Sequence, residues 1–124
     1  MRILVIEDEP LIASMLVDWL QELGHEPAGP VATVAEALAV VDGTGIEGAL
    51  LDINLRDGNG YPVAERLQSR AVPFAFASGD GGRGVAPGFG AHAILTKPYT
   101  FEAMEALLAG WEKAARVRLS GGAG

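Results

Sequence analysis

The stretch Gly48-Ala49-Leu50-Leu51-Asp52 is a short apolar run that ends in a carboxylate. The residues that follow it, 53–60, are polar or glycine at six of eight positions, which is the composition of a loop. A short apolar run bounded by a loop is typical of a buried strand. Because open α/β sheets bind ligands at the C-terminal ends of their strands, Asp52 is a candidate functional residue.

Two other apolar runs end in charged residues in the same way. The first run of the chain leads into Glu7 and Asp8, and the run 93–96 leads into Lys97. If these strands are parallel neighbours, their C-terminal ends meet at one edge of the sheet and the charged side chains lie near Asp52. Carboxylates are ligands for a hard cation such as Mg²⁺, and an ammonium group attracts an anion. The pattern therefore predicts a cation and an anion at the same edge.

Strand and helix patterns alternate along the chain. Between the strand-like runs, apolar residues recur every three or four positions, which is the spacing of an amphipathic helix. Repeated βα units demand right-handed crossovers, so the predicted fold is a doubly wound α/β fold with a parallel sheet covered on both faces. The predicted strands are residues 2–6, 25–30, 47–51, 73–77 and 93–96, and the predicted helices run from Pro10 to Gly24, from Thr33, from Pro62 to before Pro73, and over about 100–115.

One segment does not fit this repeat. Residues 79–90 contain six glycines and one proline, a composition that cannot hold a stable helix. We therefore expect the fourth helix, between the fourth and fifth strands, to be short or disordered. The glycine-rich residues 118–124 are expected to form a flexible tail behind a domain of residues 1–117.

Size and charge restrict the classes of function. The chain has 124 residues, a net charge of -7, a pI of about 4.7 and no cysteine. One domain is expected, and neither a nucleic acid nor an anionic membrane is expected as a direct partner of so acidic a chain. Disulfides and thiolate metal sites are excluded. The short N-terminal apolar run is not expected to be a signal peptide, and a cytoplasmic location is expected.

The charged and polar residues at the strand ends resemble the motifs of the receiver domain of bacterial two-component response regulators. The resemblance covers about residues 2–116 and implies a flavodoxin-like (βα)₅ three-layer sandwich with strand order 2-1-3-4-5. The matching motifs are the acidic pair Glu7-Asp8, the aspartate Asp52, the hydroxyl residue Ser78 and the pair Lys97-Pro98.

The resemblance also implies a reaction. Asp52 would accept a phosphoryl group from a histidine kinase or a histidine phosphotransfer protein, and the signal would pass to an unknown protein partner. Ser78 and Lys97 would contact the phosphoryl group, and the bond before Pro98 would be cis. The expected chemistry is self-phosphorylation and autodephosphorylation at Asp52, without turnover of a separate substrate.

The resemblance implies Mg²⁺ as the cofactor. Its ligands would be Glu7, Asp8, Asp52 and the backbone carbonyl of Asn54. These acidic side chains would repel one another without a cation.

The chain departs from the usual receiver pattern at the predicted switch positions, Ser78 and Ile94. Members of the family often have Tyr or Phe three residues before the lysine, where this chain has Ile94. The run Phe76-Ala77-Ser78-Gly79 is similar to a subgroup with a Phe-Ala-Thr-Gly signature, found in stand-alone regulators and in receivers of hybrid histidine kinases. Ser78 replaces its threonine, and Asp80 replaces an aromatic residue.

Two other functions are open on the residues alone. Asp52 could be the nucleophile of a small Mg²⁺-dependent phosphohydrolase, but such enzymes commonly carry an acid two residues later, where this chain has Asn54. A degenerate receiver would bind partners without being phosphorylated. The presence of Glu7, Asp8, Asp52 and Lys97 together argues against that alternative.

Overall fold

The computed structural model describes residues 1–43, 45–78, 93–96 and 99–121. Over these residues the chain forms seven strands and four helices. In chain order they are β1 (Arg2–Ile6), α1 (Pro10–Glu22), β2 (Glu26–Val31), α2 (Val34–Gly43), β3 (Gly48–Asp52), β4 (Asn54–Leu55), β5 (Gly58–Asn59), α3 (Tyr61–Ser69), β6 (Phe74–Ser78), β7 (Ala93–Thr96) and α4 (Phe101–Gly121).

Five of these strands form one parallel sheet in the order β2-β1-β3-β6-β7. Counted among the sheet strands alone, this is the order 2-1-3-4-5, so the predicted flavodoxin-like topology is confirmed. The central strands β1 and β3 are adjacent, with Ile6 in register with Leu51. This register puts Glu7, the residue after β1, level with Asp52.

Apolar side chains cover both faces of the sheet. On one face, Ala37 and Val41 of α2 and Leu67 of α3 pack against Leu4, Leu51 and other strand residues. On the other face, Leu16 and Leu20 of α1 and Met104 and Leu108 of α4 pack against Ile3, Val5 and Leu50. The side chains of β3 alternate between the two layers, which is why the strand is apolar along its length.

The boundaries of α1 follow from its terminal residues. Pro10 occupies the first turn, where its missing N–H has no helical partner to lose. At the other end Gly24 has φ +86°, and the N–H groups of Gly24 and His25 donate to the carbonyls of Gln21 and Leu20. This is a Schellman cap, which favours glycine at the left-handed position.

The helix α2 starts at the predicted place. The Thr33 hydroxyl oxygen accepts the Glu36 N–H at 3.1 Å and donates to the Glu36 carboxylate at 2.9 Å. Half of a capping box is therefore present, and the Glu36 side chain contacts the Thr33 hydroxyl in place of the Thr33 N–H.

The structure differs from the prediction in two described segments. The strands β4 and β5 form an antiparallel hairpin between β3 and α3 that the sequence did not predict. The last helix continues to Gly121, beyond the predicted end near residue 115. The boundary between a domain ending at 117 and a flexible tail stays a prediction, and the glycine-rich segment expected to replace the fourth helix lies outside the described residues.

None of the helices over the described residues combines the length and the apolar composition needed to span a bilayer.

Candidate functional site

Three carboxylates meet at the C-terminal edge of the sheet. Glu7 and Asp8 follow β1, Asp52 ends β3, and one oxygen from each lies within 4.8 Å of the others. The adjacent positions of β1 and β3 bring them together. One hard divalent cation can contact such a set directly or through water, so the predicted grouping of these three residues fits a Mg²⁺ site.

Two members of this cluster are buried. Glu7 is 4% exposed and Asp52 is 6% exposed. Backbone N–H groups donate to both: that of Glu9 to Glu7 Oε2 at 3.2 Å, and that of Asn54 to Asp52 Oδ1 at 3.1 Å. Burial of a carboxylate is unfavourable unless hydrogen bonds or a cation stabilise its charge, and these amides provide part of that stabilisation.

Asn54 lies next to the cluster through its amide. The resemblance to receiver domains predicted its backbone carbonyl as a metal ligand. In the structure its backbone N–H donates to Asp52 Oδ1. The carbonyl therefore stays a predicted ligand.

A tyrosine that the sequence did not single out also reaches the cluster. Tyr99 is 8% exposed, and the carboxylates of Glu7 and Asp52 act on the pKa of its phenol. Burial raises the pKa of the Tyr99 phenol, and the negative charges of Glu7 and Asp52 raise it further. The phenol therefore remains protonated at neutral pH.

The hairpin after Asp52 is packed closely against the site. A methyl group at Gly60 would lie 2.7 Å from the Asp52 carbonyl oxygen and 2.9 Å from Leu51 Cδ1. The Gly60 N–H also donates to the Ile53 carbonyl at 2.7 Å. Glycine is required at this position because the chain returns directly over the end of β3.

The turn of the hairpin contacts two other segments. Arg56 Nη2 lies 3.5 Å from the Asp8 carbonyl oxygen. The Asp57 carboxylate accepts the N–H groups of Val34 and Ala35, at 2.7 and 3.3 Å, and these hydrogen bonds hold the pKa of Asp57 below its usual range. Asp57 thus caps the start of α2 from a distant part of the chain.

The structure describes only some of the remaining predicted site residues. In β6 the residue level with Asp52 is Ala77, so the backbone of Ser78 lies one position beyond it and is in register with Thr96 of β7. Ile94 is in register with Phe76. Lys97, Pro98 and the predicted cis bond between them lie outside the described residues, as does Asp80.

A cleft of about 410 Å³ opens beside the carboxylates. Glu7, Asp8 and Arg56 line one part of it, and Pro10 and Pro30 belong to its apolar wall. The cluster is thus next to a space large enough to admit an incoming group, although two of its carboxylates are almost fully covered.

Comparison with known proteins identifies the family. The sequence profile of the response regulator receiver domain matches residues 3–109. The transcriptional regulatory protein TcrA of Mycobacterium tuberculosis is 35% identical over 112 residues, which are 86% of this chain and 44% of TcrA. The chain therefore spans less than half the length of this relative.

Two solution structures of SdrG are also similar. SdrG from Sphingomonas melonis Fr1 superposes with a TM-score of 0.80 at 46% identity, covering 90% of this chain and 95% of SdrG. The BeF₃-activated conformation of SdrG from Pseudomonas melonis Fr1 gives a TM-score of 0.75 at 48% identity, covering 87% and 92%.

Receiver domains are signalling modules of two-component systems and receive phosphoryl groups from histidine kinases. The cluster of Glu7, Asp8 and Asp52 fits the phosphoacceptor site of such a module. With a profile match over most of its length, this chain belongs to the response regulator receiver domains.

Proposed function

We propose that Asp52 is the phosphoacceptor of this receiver domain and that Glu7, Asp8 and Asp52 hold Mg²⁺ beside it. The observation that carries the proposal is the grouping of these carboxylates within 4.8 Å at the ends of two central strands. Asp52 is the member that ends β3, and its Oδ1 is oriented by the Asn54 N–H.

In the proposed reaction a carboxylate oxygen of Asp52 attacks the phosphorus of a phosphohistidine. The new O–P bond forms as the P–N bond breaks, and the electron pair of that bond returns to the imidazole nitrogen, which takes a proton. The product is an aspartyl phosphate. Mg²⁺, when bound, neutralises negative charge on the phosphoryl oxygens. The same carboxylate would accept a phosphoryl group from a small acyl phosphate, and later hydrolysis would regenerate Asp52.

The relative SdrG supports this proposal, because it has a BeF₃-activated conformation and is 48% identical to this chain. BeF₃ mimics a phosphoryl group on a carboxylate. We extend the proposal to Ser78 and Lys97 as contacts of the phosphoryl group, to a histidine kinase or phosphotransfer protein as the donor, and to output through contacts with another protein. The cytoplasmic location stays a prediction.

The decisive test is intact-mass measurement after incubation with Mg²⁺ and acetyl phosphate. The wild-type chain should gain one phosphoryl group, and a chelator should prevent the gain. Asp52→Asn should abolish it, because an amide is not a competent nucleophile at phosphorus. Asp57→Asn is the matched control, since Asp57 is five residues away in the sequence and caps α2; it should be phosphorylated like the wild type.

A gain that persists in Asp52→Asn would contradict the assignment of the phosphoacceptor. Repeated release of phosphate from simple monoesters would favour the phosphohydrolase alternative. No gain from either acetyl phosphate or a phosphorylated histidine kinase would favour a domain that binds its partners unphosphorylated.

A further inference from the structure

The hairpin of β4 and β5 is joined to the start of α2 through two side chains. Leu55 is 8% exposed and belongs to the apolar layer that contains Ala37 of α2. Two residues later, the Asp57 carboxylate accepts the Val34 N–H at 2.7 Å and the Ala35 N–H at 3.3 Å. The first of these distances is at the short end of the range for such hydrogen bonds, so a displacement of the hairpin would lengthen it.

The same hairpin is joined to Asp52 where it begins. The Asn54 N–H donates to Asp52 Oδ1 at 3.1 Å, and Asn54 pairs with Asn59 across the hairpin. In an aspartyl phosphate the carboxylate has become an acyl group, whose uncharged oxygens accept hydrogen bonds less strongly than a carboxylate does. Phosphorylation therefore weakens one of the hydrogen bonds that fix the position of the hairpin.

The far end of α2 is held by a different part of the chain. There Asp42 accepts hydrogen bonds from Arg66 at 2.6 Å and from Arg70 at 3.0 Å. Arg66 lies in α3, and Arg70 is the residue that caps the end of that helix. A change that starts in the hairpin should therefore reach the first turn of α2 directly, while the contacts of Asp42 keep the last turn in place. The two ends of one helix thus provide an internal comparison.

We propose that the hairpin couples the state of Asp52 to the first turn of α2, and that the Asp57 carboxylate is the contact through which phosphorylation loosens this turn. Ala35 and Glu36 are exposed there, so the surface of the turn differs between the two forms of the domain. A partner protein that contacts this surface distinguishes the two forms. The inference rests on the proposed function, because it assumes that Asp52 accepts the phosphoryl group.

The test is the NMR spectrum of the backbone amides, recorded in Mg²⁺ with and without BeF₃. In the wild type, BeF₃ should shift the Val34 and Ala35 amides, and Asp57→Ala should remove most of these shifts because the accepting carboxylate is gone. Asp57→Asn should retain part of them, since an amide oxygen can still cap a helix. Asp42→Ala is the matched control. It removes a carboxylate from the far end of α2 and should leave the shifts at the first turn unchanged.

The affinity for BeF₃ provides an independent measurement, because the coupling between two sites is reciprocal and commonly changes affinity by 5- to 150-fold. If BeF₃ weakens the contacts of Asp57, the loss of those contacts should strengthen the binding of BeF₃. The dissociation constant of Asp57→Ala should be about fivefold lower than that of the wild type, the weak end of the range, since both hydrogen bonds are exposed. At saturating acetyl phosphate both proteins should still gain one phosphoryl group.

The outcomes separate this inference from the proposed function. If BeF₃ binds the wild type and leaves the Val34 and Ala35 amides unshifted, the coupling is overturned and the proposed function stands. Shifts that persist in full in Asp57→Ala, or an affinity for BeF₃ that is unchanged in that variant, overturn the role of Asp57 in the same way. If the wild type neither binds BeF₃ nor accepts a phosphoryl group, the proposed function fails and this inference fails with it.

Discussion

Two clusters of charged side chains on this domain both contain carboxylates, but the charges around those carboxylates and their burial differ. On the surface between α2 and α3, Asp42 accepts hydrogen bonds from Arg66 at 2.6 Å and from Arg70 at 3.0 Å. Arg66, and then Arg70, hold the pKa of Asp42 below its usual range. At the edge of the sheet, Glu7, Asp8 and Asp52 place three groups of like charge within 4.8 Å of one another, with two of them buried.

The difference between them is that opposite charges pair within the surface cluster, whereas like charges are concentrated at the sheet edge. An exposed salt bridge contributes little to stability because water and salt already screen it. A buried group of like charges opposes folding until a cation binds. Matched substitutions in the two regions should therefore give opposite or unequal results.

The largest expected effect is that replacing a carboxylate by an amide changes the free energy of unfolding in opposite directions in the two clusters. In the presence of a chelator, Asp52→Asn should raise the free energy of unfolding by about 1–3 kcal/mol, the range that Coulomb's law gives for charges at this separation near a protein surface. Asp42→Asn should lower the stability slightly, because it removes a carboxylate that two arginines contact. Urea unfolding of both variants measures the two effects.

Added Mg²⁺ should remove the advantage of Asp52→Asn over the wild type. A lower stability of Asp52→Asn than of the wild type in chelator would show that repulsion within the cluster is not what separates the two regions.

A smaller effect on stability is expected from a substitution that displaces the backbone at Asp52 without changing the charges of the cluster. Gly60→Ala should lower the free energy of unfolding by about 1–2 kcal/mol, as overpacking commonly does, because the new methyl group would meet the Asp52 carbonyl oxygen. It should also slow phosphorylation by acetyl phosphate. Gly110→Ala is the control, since Gly110 is in α4 and a methyl group there meets nothing within 4 Å. It should stabilise the helix.

Melting curves and phosphorylation rates of the two glycine variants provide the measurement. Equal phosphorylation rates for Gly60→Ala and the wild type would show that the loop over β3 does not fix the position of Asp52.

The smallest expected effect concerns the surface cluster in acid. The pKa of Asp42 is lowered in the folded state, so its contribution to stability is present above the unfolded value of 3.8 and is lost as the pH falls through the lower folded value. The stability difference between the wild type and Asp42→Asn should therefore shrink below that pH. Arg66→Gln should remove much of the same contribution.

Urea unfolding at pH 5 and in the acid range, at low and high salt, measures this dependence. A difference that is unchanged by both acid and salt would mean that the contacts of Asp42 do not contribute through charge.

The sheet and the acidic cluster were predictable because they follow from local pattern. Apolar runs that lead into Glu7 and Asp8 and into Asp52 give strands with charged C-terminal ends, and parallel order then brings the ends together. The end of α4 was predicted too early because its apolar spacing fades after Trp111. Alanine, arginine and leucine continue the helix through their intrinsic propensity, which needs no apolar face.

The contacts of Tyr99 and Asp57 could not be predicted in this way. Tyr99 follows Lys97-Pro98, so its closeness to the site was visible in the sequence, but its electrostatic interaction with Glu7 joins residues far apart in the chain. Asp57 caps a helix that starts 23 residues earlier. Such contacts depend on the completed fold, and neither residue type nor spacing marks them.

The first turn of α2 is capped by two side chains that come from different parts of the chain. Thr33 directly precedes the helix, and its hydroxyl oxygen accepts the Glu36 N–H. Asp57 lies in the hairpin that follows Asp52, and its carboxylate accepts the N–H groups of Val34 and Ala35. The hydrogen bonds of Asp57 therefore join the first turn of α2 to the loop that follows Asp52. In an amide-exchange experiment, the Val34 and Ala35 amides should report on the integrity of that loop, while the Glu36 amide provides an internal reference on the same helix.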